Sequence, residues 1–239
     1  MQYNKEVVTA QIAAMRFTDL DITPDYESIS SITHNGRHFA TWDRRFQILC
    51  TKLAKNPRYE QIIIPRGLWT LVAILDKNDS KLYVMMTEQN LSARQHEVEI
   101  NGFSTHYGYS LLFLNTGLKP ISEQLEMLSP LNDDQQEHRM KDLEKMLGEW
   151  TEQVDEVFIG SFKYDHGEII GGSLNLFDDK YRLVDTVDLS EQILHPIEQE
   201  DVQSSLQEQQ QQQQNPIVKL RNKRRSQENK EKNSDSNNK

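Results

Sequence analysis

Apolar residues along this chain alternate between two habits: stripes at helical spacing, and short crowded runs. Val7, Val8, Ile12, Met15 and Phe17 fall near helical spacing and predict a helix over residues 5–17. In "TWDRRFQILCTKLAKNP", Thr41 is placed to cap a helix whose stripe is Trp42, Phe46, Leu49 and Leu53, stopping before Pro57. "QNLSARQHEVE" predicts a shorter helix. From Asp133, "DDQQEHRMKDLEKMLGEWTEQV" predicts a long one, acidic at its start and striped by Met140, Leu143, Leu147, Trp150 and Val154.

The crowded runs predict strands. Residues 68–75 and 81–87 are rich in branched and bulky apolar side chains, and the "DKND" between them is hairpin chemistry. The first of these runs is apolar on both faces, which predicts a central, doubly covered strand. "HYGYSLLFLN", "VFIGSFKYD", "EIIGGSLNLFD" and "YRLVDTVDLS" continue the series, with Asp178-Asp179-Lys180 turning a last hairpin and Gly171-Gly172 marking a bulge. The polar stretch "TDLDITPDYESISSITHNGRHFAT", with Asn35-Gly36 as its turn signal, predicts irregular structure. Together the elements predict an α+β fold, a mixed and largely antiparallel sheet packed with helices.

Composition divides the chain in two. Hydrophobic residues are 36% of the sequence and the mean hydropathy is −0.74, an average over unlike parts. After residue 198 the chain turns polar, with a glutamine run from Gln209 to Gln214 and a basic "KLRNKRR". Such a composition buries too little apolar surface to offset the ordering entropy, so a single globular domain over 1–198 and a disordered tail over 199–239 are expected. The net charge of −10 is uneven: residues 217–239 carry eight basic and three acidic side chains, which leaves −15 on the remainder. An acidic body repels phosphate backbones. Weak, nonspecific nucleic-acid contact is therefore expected only of the tail cations Lys219, Arg221, Lys223, Arg224 and Arg225.

Several chemistries lose support on inspection. Cys50 is the lone cysteine, which removes intrachain disulfides and multi-cysteine zinc sites and fits a reducing compartment. The first residues lack the basic end and apolar stretch of an export signal, and no apolar run approaches a membrane span, so a soluble cytoplasmic protein is expected. His34 and His38 are four apart, but Asn35-Gly36 interrupts any helix that would align them. The "DSK" at Asp79–Lys81 resembles the D-x-K of nuclease-like cores, where carboxylates hold a divalent ion. That reading needs a first carboxylate from another strand, whereas Asp76 and Asp79 share one turn. Glycine-rich phosphate loops and nucleophile elbows are absent from the sequence, and neither a metal nor a cofactor is expected.

One corner carries the remaining candidate chemistry. Arg66-Gly67 enters a strand beside Trp69. Arg66 is expected either to lie over Trp69 or Tyr83 or pair with a carboxylate such as Glu88, or to recognise an anion together with Glu88, His106 and Tyr107.

The succession of a helix bearing Trp42, "RGLW" entering an apolar strand, "LYVMMTEQNL" leaving the hairpin and then "HYGYSLLFLN" resembles an uncharacterised bacterial or phage-type domain family of unknown function. The resemblance covers residues 42–115 and implies a single domain without implying a reaction.

Two functions are consistent with this reading. The first is a non-enzymatic cytoplasmic protein-binding or adaptor protein in a bacterial or mobile-element regulatory or defence setting. The alternative is a nucleic-acid-acting protein with a degenerate nuclease-like core and a basic tail, which requires two carboxylates and a lysine to converge in one cleft.

Overall fold

The computed structural model describes residues 1–29, 32–33, 35–121 and 133–195. Residues Met1–His195 form one compact unit. The predicted tail, its basic cluster and His34 lie outside the described residues.

Six strands form one sheet: β1 (Tyr59–Arg66), β2 (Trp69–Asp76), β3 (Lys81–Thr87), β4 (Glu156–Asp165), β5 (Glu168–Phe177) and β6 (Leu183–Asp188). They lie in chain order, and every neighbouring pair is antiparallel except β3 and β4. The sheet is thus mixed and largely antiparallel, as the hydrophobic runs predict. A parallel pair cannot be joined by a hairpin and needs a crossover. That crossover holds α4 (Glu88–Asn101), α5 (Tyr107–Leu111) and α6 (Asp133–Leu147).

Both faces of the central strands are covered. Residues 71–76 of β2, 82–86 of β3 and 157–162 of β4 are all buried. One face meets α1 (Lys5–Met15), where Tyr83 and Phe158 stack at 5.3 Å and the Asn4 backbone N–H donates to the Tyr83 hydroxyl at 2.9 Å. Gly160 lets this helix come close, since a side chain there would run into the Gln11 amide. Of two further helices, α3 (Arg37–Leu53) packs on α1 and α2 (Asp19–Ile29) packs on α3, while α7 (Ser190–Leu194) lies against β5. The crossover helices contact β3, β4 and β1 and cover the second face.

The sheet is forked. β1 and β2 pair along their whole length, but β2 and β3 pair only where Ile74, Leu75 and Asp76 meet Tyr83, Leu82 and Lys81. Beyond that the two strands part, so Trp69 and Thr70 on one prong face Met85 and Met86 on the other across a cavity. The closed end is clamped by charge. Asp76, fully buried, accepts from Arg58 Nε at 2.5 Å, Arg58 Nη2 at 2.6 Å and Asn4 Nδ2 at 2.6 Å. Asn4 also caps α1 through its own carbonyl oxygen, so one junction ties the helix start to the hairpin.

Several local expectations change. "HYGYSLLFLN" is not a strand: α5 runs into a 3-10 turn over Leu112–Asn115. A short apolar run has the same appearance in a buried helix as in a buried strand, and here His106 settles the matter by accepting the Gly108 N–H at its Nδ1, 3.2 Å away. The stretch expected to be irregular contains α2. Thr18 and Asp21 start it as a reciprocal cap, with Asp21 accepting from the Thr18 N–H at 2.7 Å and Thr18 Oγ1 from the Leu20 N–H at 3.3 Å. β1 was not foreseen as a strand. Thr41 is no cap either, because α3 starts four residues earlier and Thr41 is buried inside it. The long helix ends at Leu147, followed by Gly148 at φ +53, so Trp150 sits half-buried in a 3-10 turn and Met140 is exposed. The Gly171 bulge is present: Lys163 pairs with Gly171 while Tyr164 pairs with Ile169, which leaves Ile170 as the extra residue.

Candidate functional site

The open end of the fork holds a cleft in two compartments, built along α3. The first is a cavity of about 250 Å³ whose lining includes Phe39, Trp42, Phe46, Trp69, Met86 and Tyr107. Its rings are fixed against one another: Trp42 lies 5.5 Å from Phe46, and Trp69 meets Tyr107 edge-on at 5.6 Å. Asp43 and Asn90 contribute polar groups at its margin.

The second compartment, about 450 Å³, opens beyond the carboxyl ends of the parallel pair β3 and β4. Its lining includes Asp19, Arg45, Glu88, Gln89, Lys163 and Tyr164. His38 borders both compartments, so they adjoin. The first turn of α4 also faces this space: Thr87 caps it by accepting the Asn90 N–H at 3.2 Å, and Glu88 and Gln89 line the cavity. Backbone N–H groups at such a position favour negative charge.

Arg45 is the unusual member. It is 5% exposed, and its guanidinium lies between two rings, 4.9 Å from the Trp42 centroid and 5.1 Å from that of Tyr164. Nε donates to the Phe17 carbonyl at 2.8 Å. Among the described residues the two terminal amino groups have no hydrogen-bond or ion-pair partner, although the side chain lines the cavity. Burial pulls its pKa below the ordinary arginine value, and Tyr164, Asp19 and Asp21 only partly oppose this. Burial likewise pushes the Tyr164 hydroxyl up to about 12, and that hydroxyl donates to the Met15 carbonyl at 2.6 Å. Asp19 is engaged elsewhere, accepting from Thr41 Oγ1 at 2.6 Å. The position therefore holds a charged fork with unused donors at the wall of a cavity, a geometry that can accept an anion.

The residues expected at the Arg66 corner are divided. Gly67, at φ +65, makes the tight turn, and Arg66 pairs with Asp142 rather than with Glu88. The second oxygen of Asp142 accepts from Ser110 Oγ at 2.8 Å. The rings of His106 and Tyr107 lie tilted against one another with centroids 4.1 Å apart, and Arg66 Nη2 reaches the adjacent Thr105 carbonyl at 3.5 Å. Burial, reinforced by Arg94 and Arg66, holds His106 down to about 3, so it serves as a neutral cap. Tyr107 and Glu88 instead belong to the cleft, one in each compartment.

The hairpin acids are also accounted for. Asp79 pairs with Arg58 at 2.8 Å, and Lys81 donates to the Gln2 carbonyl at 2.7 Å and lies 3.6 Å from Glu156. Among the described residues there is no group of three or more His, Cys, Asp or Glu placed to hold a metal ion, and no helix long and apolar enough to cross a membrane.

Sequence reasoning placed Trp42 on the apolar stripe of α3 but missed Arg45 beside it. The signal was there. Arg45 stands four residues from both Thr41 and Leu49, so it falls on the buried face, where a cation is costly unless it has a partner or a task.

The fold is that of an α+β protein with a cleft that reaches the carboxyl ends of the parallel strands β3 and β4. Residues 2–237 match a family of unknown function (DUF5986), and the chain belongs to that family. The match extends well beyond the 42–115 stretch whose pattern suggested a family of this kind. Neither a curated protein nor a solved structure matches the chain.

Proposed function

We propose that this is a non-enzymatic, cytoplasmic binding protein whose globular part captures a small ligand in the two-compartment cleft. The observation that carries the reading is Arg45: a buried guanidinium with open donors is costly to keep, and a bound anion removes that cost. The hairpin carboxylates weigh against the nuclease-like alternative, since Asp76 and Asp79 are both occupied by Arg58. Nucleic-acid contact is proposed only for the cations Lys219 to Arg225, through phosphates and without sequence preference.

The test is a thermal-unfolding screen of the full chain against a broad panel of small anionic and aromatic compounds. A ligand at a hundredfold its Kd stabilises by about 2.7 kcal/mol, a readily measured shift. At least one compound should stabilise the wild type and lose its effect on Arg45→Met. A panel in which nothing shifts the wild type overturns the reading.

The protein-binding or adaptor role, the first expectation from the sequence, stands here as the second reading, favoured by Leu68, which is 97% exposed at the tip of the β1–β2 turn. A partner retained by the wild type and lost with Leu68→Asp in a pulldown from the native host supports it. Equal recovery with both removes it.

A further inference from the structure

The two compartments differ in chemistry in a way that narrows the ligand. One is walled by rings, with Phe39, Trp42 and Tyr107 on its surface, and offers little to a charged group beyond His38 and Asp43. The other offers the open donors of Arg45, the Lys163 ammonium and the first turn of α4, together with two carboxylates, Asp19 and Glu88. A simple anion would fill only the second. A hydrophobic compound would fill only the first. Trp42 joins them: its ring lines the first compartment while the Arg45 guanidinium that lines the second stacks upon it.

Resting on the cleft reading above, we infer that the ligand is a nucleoside phosphate, with its base among the rings around Trp42 and its phosphate on Arg45 and Lys163 at the α4 N-terminus. The carboxylates that would oppose a bare anion then have a use, because Glu88 and the Asp19 oxygen not held by Thr41 line the same compartment as Arg45 and can accept from ribose hydroxyls. Carboxylates recognise ribose in this way in dinucleotide folds. Aromatic stacking is tolerant of base identity, so the site selects for the phosphate more strongly than for one base.

The experiment is calorimetric titration of the full chain with adenosine 5′-monophosphate, adenosine, ribose 5-phosphate and inorganic phosphate. Adenosine 5′-monophosphate should bind most tightly. Arg45→Met should weaken it by about tenfold to a hundredfold while leaving adenosine nearly unchanged, because the lost bonds are charge-assisted ones to phosphate. Trp42→Leu should weaken both ligands. Lys163 is exposed, so Lys163→Gln tests the same phosphate contact without disturbing the core, and it should lower affinity for the monophosphate alone. Equal affinity for adenosine and its monophosphate, or a phosphate preference that survives both Arg45→Met and Lys163→Gln, overturns the inference. If another compound from the panel binds through Arg45 and the nucleotide does not, the ligand class is wrong and the cleft reading stands. If nothing binds, the cleft reading falls with it.

Discussion

The two ends of the β2–β3 fork treat buried charge differently. At the closed end, Asp76 is fully enclosed and every oxygen has donors: Arg58 grips it with two nitrogens, and Asn4 and the Asn78 N–H complete the set. At the open end, Arg45 is almost as buried but makes one hydrogen bond, to Phe17. Arg139 shows that the difference is not a property of arginines on aromatic rings. It too is 4% exposed and lies 3.9 Å over the Tyr109 ring, yet it donates to the carbonyls of Tyr109 and Asp179 at 2.8 and 2.6 Å. Saturated charge of the first kind holds a fold together. Charge left with open donors beside a cavity is, on the reading proposed above, held for a ligand.

Substitution should separate the two kinds. The largest effect is expected at the clamp, where Arg58→Met strands a fully buried carboxylate and should cost about 3–5 kcal/mol in chemical denaturation. Arg139→Met leaves two carbonyls without donors and should cost about 2–3 kcal/mol. Arg45→Met, at nearly the same depth, forfeits one carbonyl bond and its ring contacts but is relieved of burying open donors, so it should cost no more than about 1 kcal/mol. An Arg45 cost equal to that of Arg139 would place it among the structural arginines and dissolve the contrast.

Acid should divide the same regions. Burial pushes the Asp76 carboxyl up, but the hydrogen bonds from Arg58, Asn4 and the Asn78 N–H outweigh it and leave the group below its ordinary value. The unfolded chain therefore takes up that proton first as pH falls, and the clamp's contribution fades below the usual carboxylate range. His106 acts earlier. Its folded pKa of about 3 lies below the 6.5 of a free histidine, so the unfolded state is protonated first and stability falls with pH between those values. His106→Asn keeps a capping side chain without the titration, and its unfolding should vary less with pH across that window. Identical pH profiles for the two proteins would show that His106 does not titrate in this way.

Legibility in the sequence followed how local the determining interaction was. The β4–β5–β6 meander could be read because its turn residues and apolar runs suffice to describe it. The segment at Tyr107 could not, because its helix depends on one imidazole accepting one N–H and on burial against distant residues. The α2 cap is written in the sequence as "TDLD", but the polar residues around it and the Asn35-Gly36 turn signal favour irregular structure when the cap is not weighed. Of the candidate site, Tyr107 and Glu88 were named together with Arg66, whereas in the structure they line the cleft that Arg45 borders. Which arginine lies free depends on partners such as Asp142, contributed by a helix far along the chain.

The fork also has a mechanical meaning. A sheet laddered throughout bends as one plate, whereas here the β1–β2 ribbon is joined to the rest by three residue pairs and riveted at that end by Asp76. That arrangement is a lever with a stiff pivot and compliant jaws. Backbone amides near Ile74 should exchange slowly with solvent, and those at Leu71 and Val72, on the jaw, should exchange faster except where β1 covers them. A molecule seated between Trp69 and Met86 would bridge the jaws, and its arrival would be felt along the whole length of the ribbon.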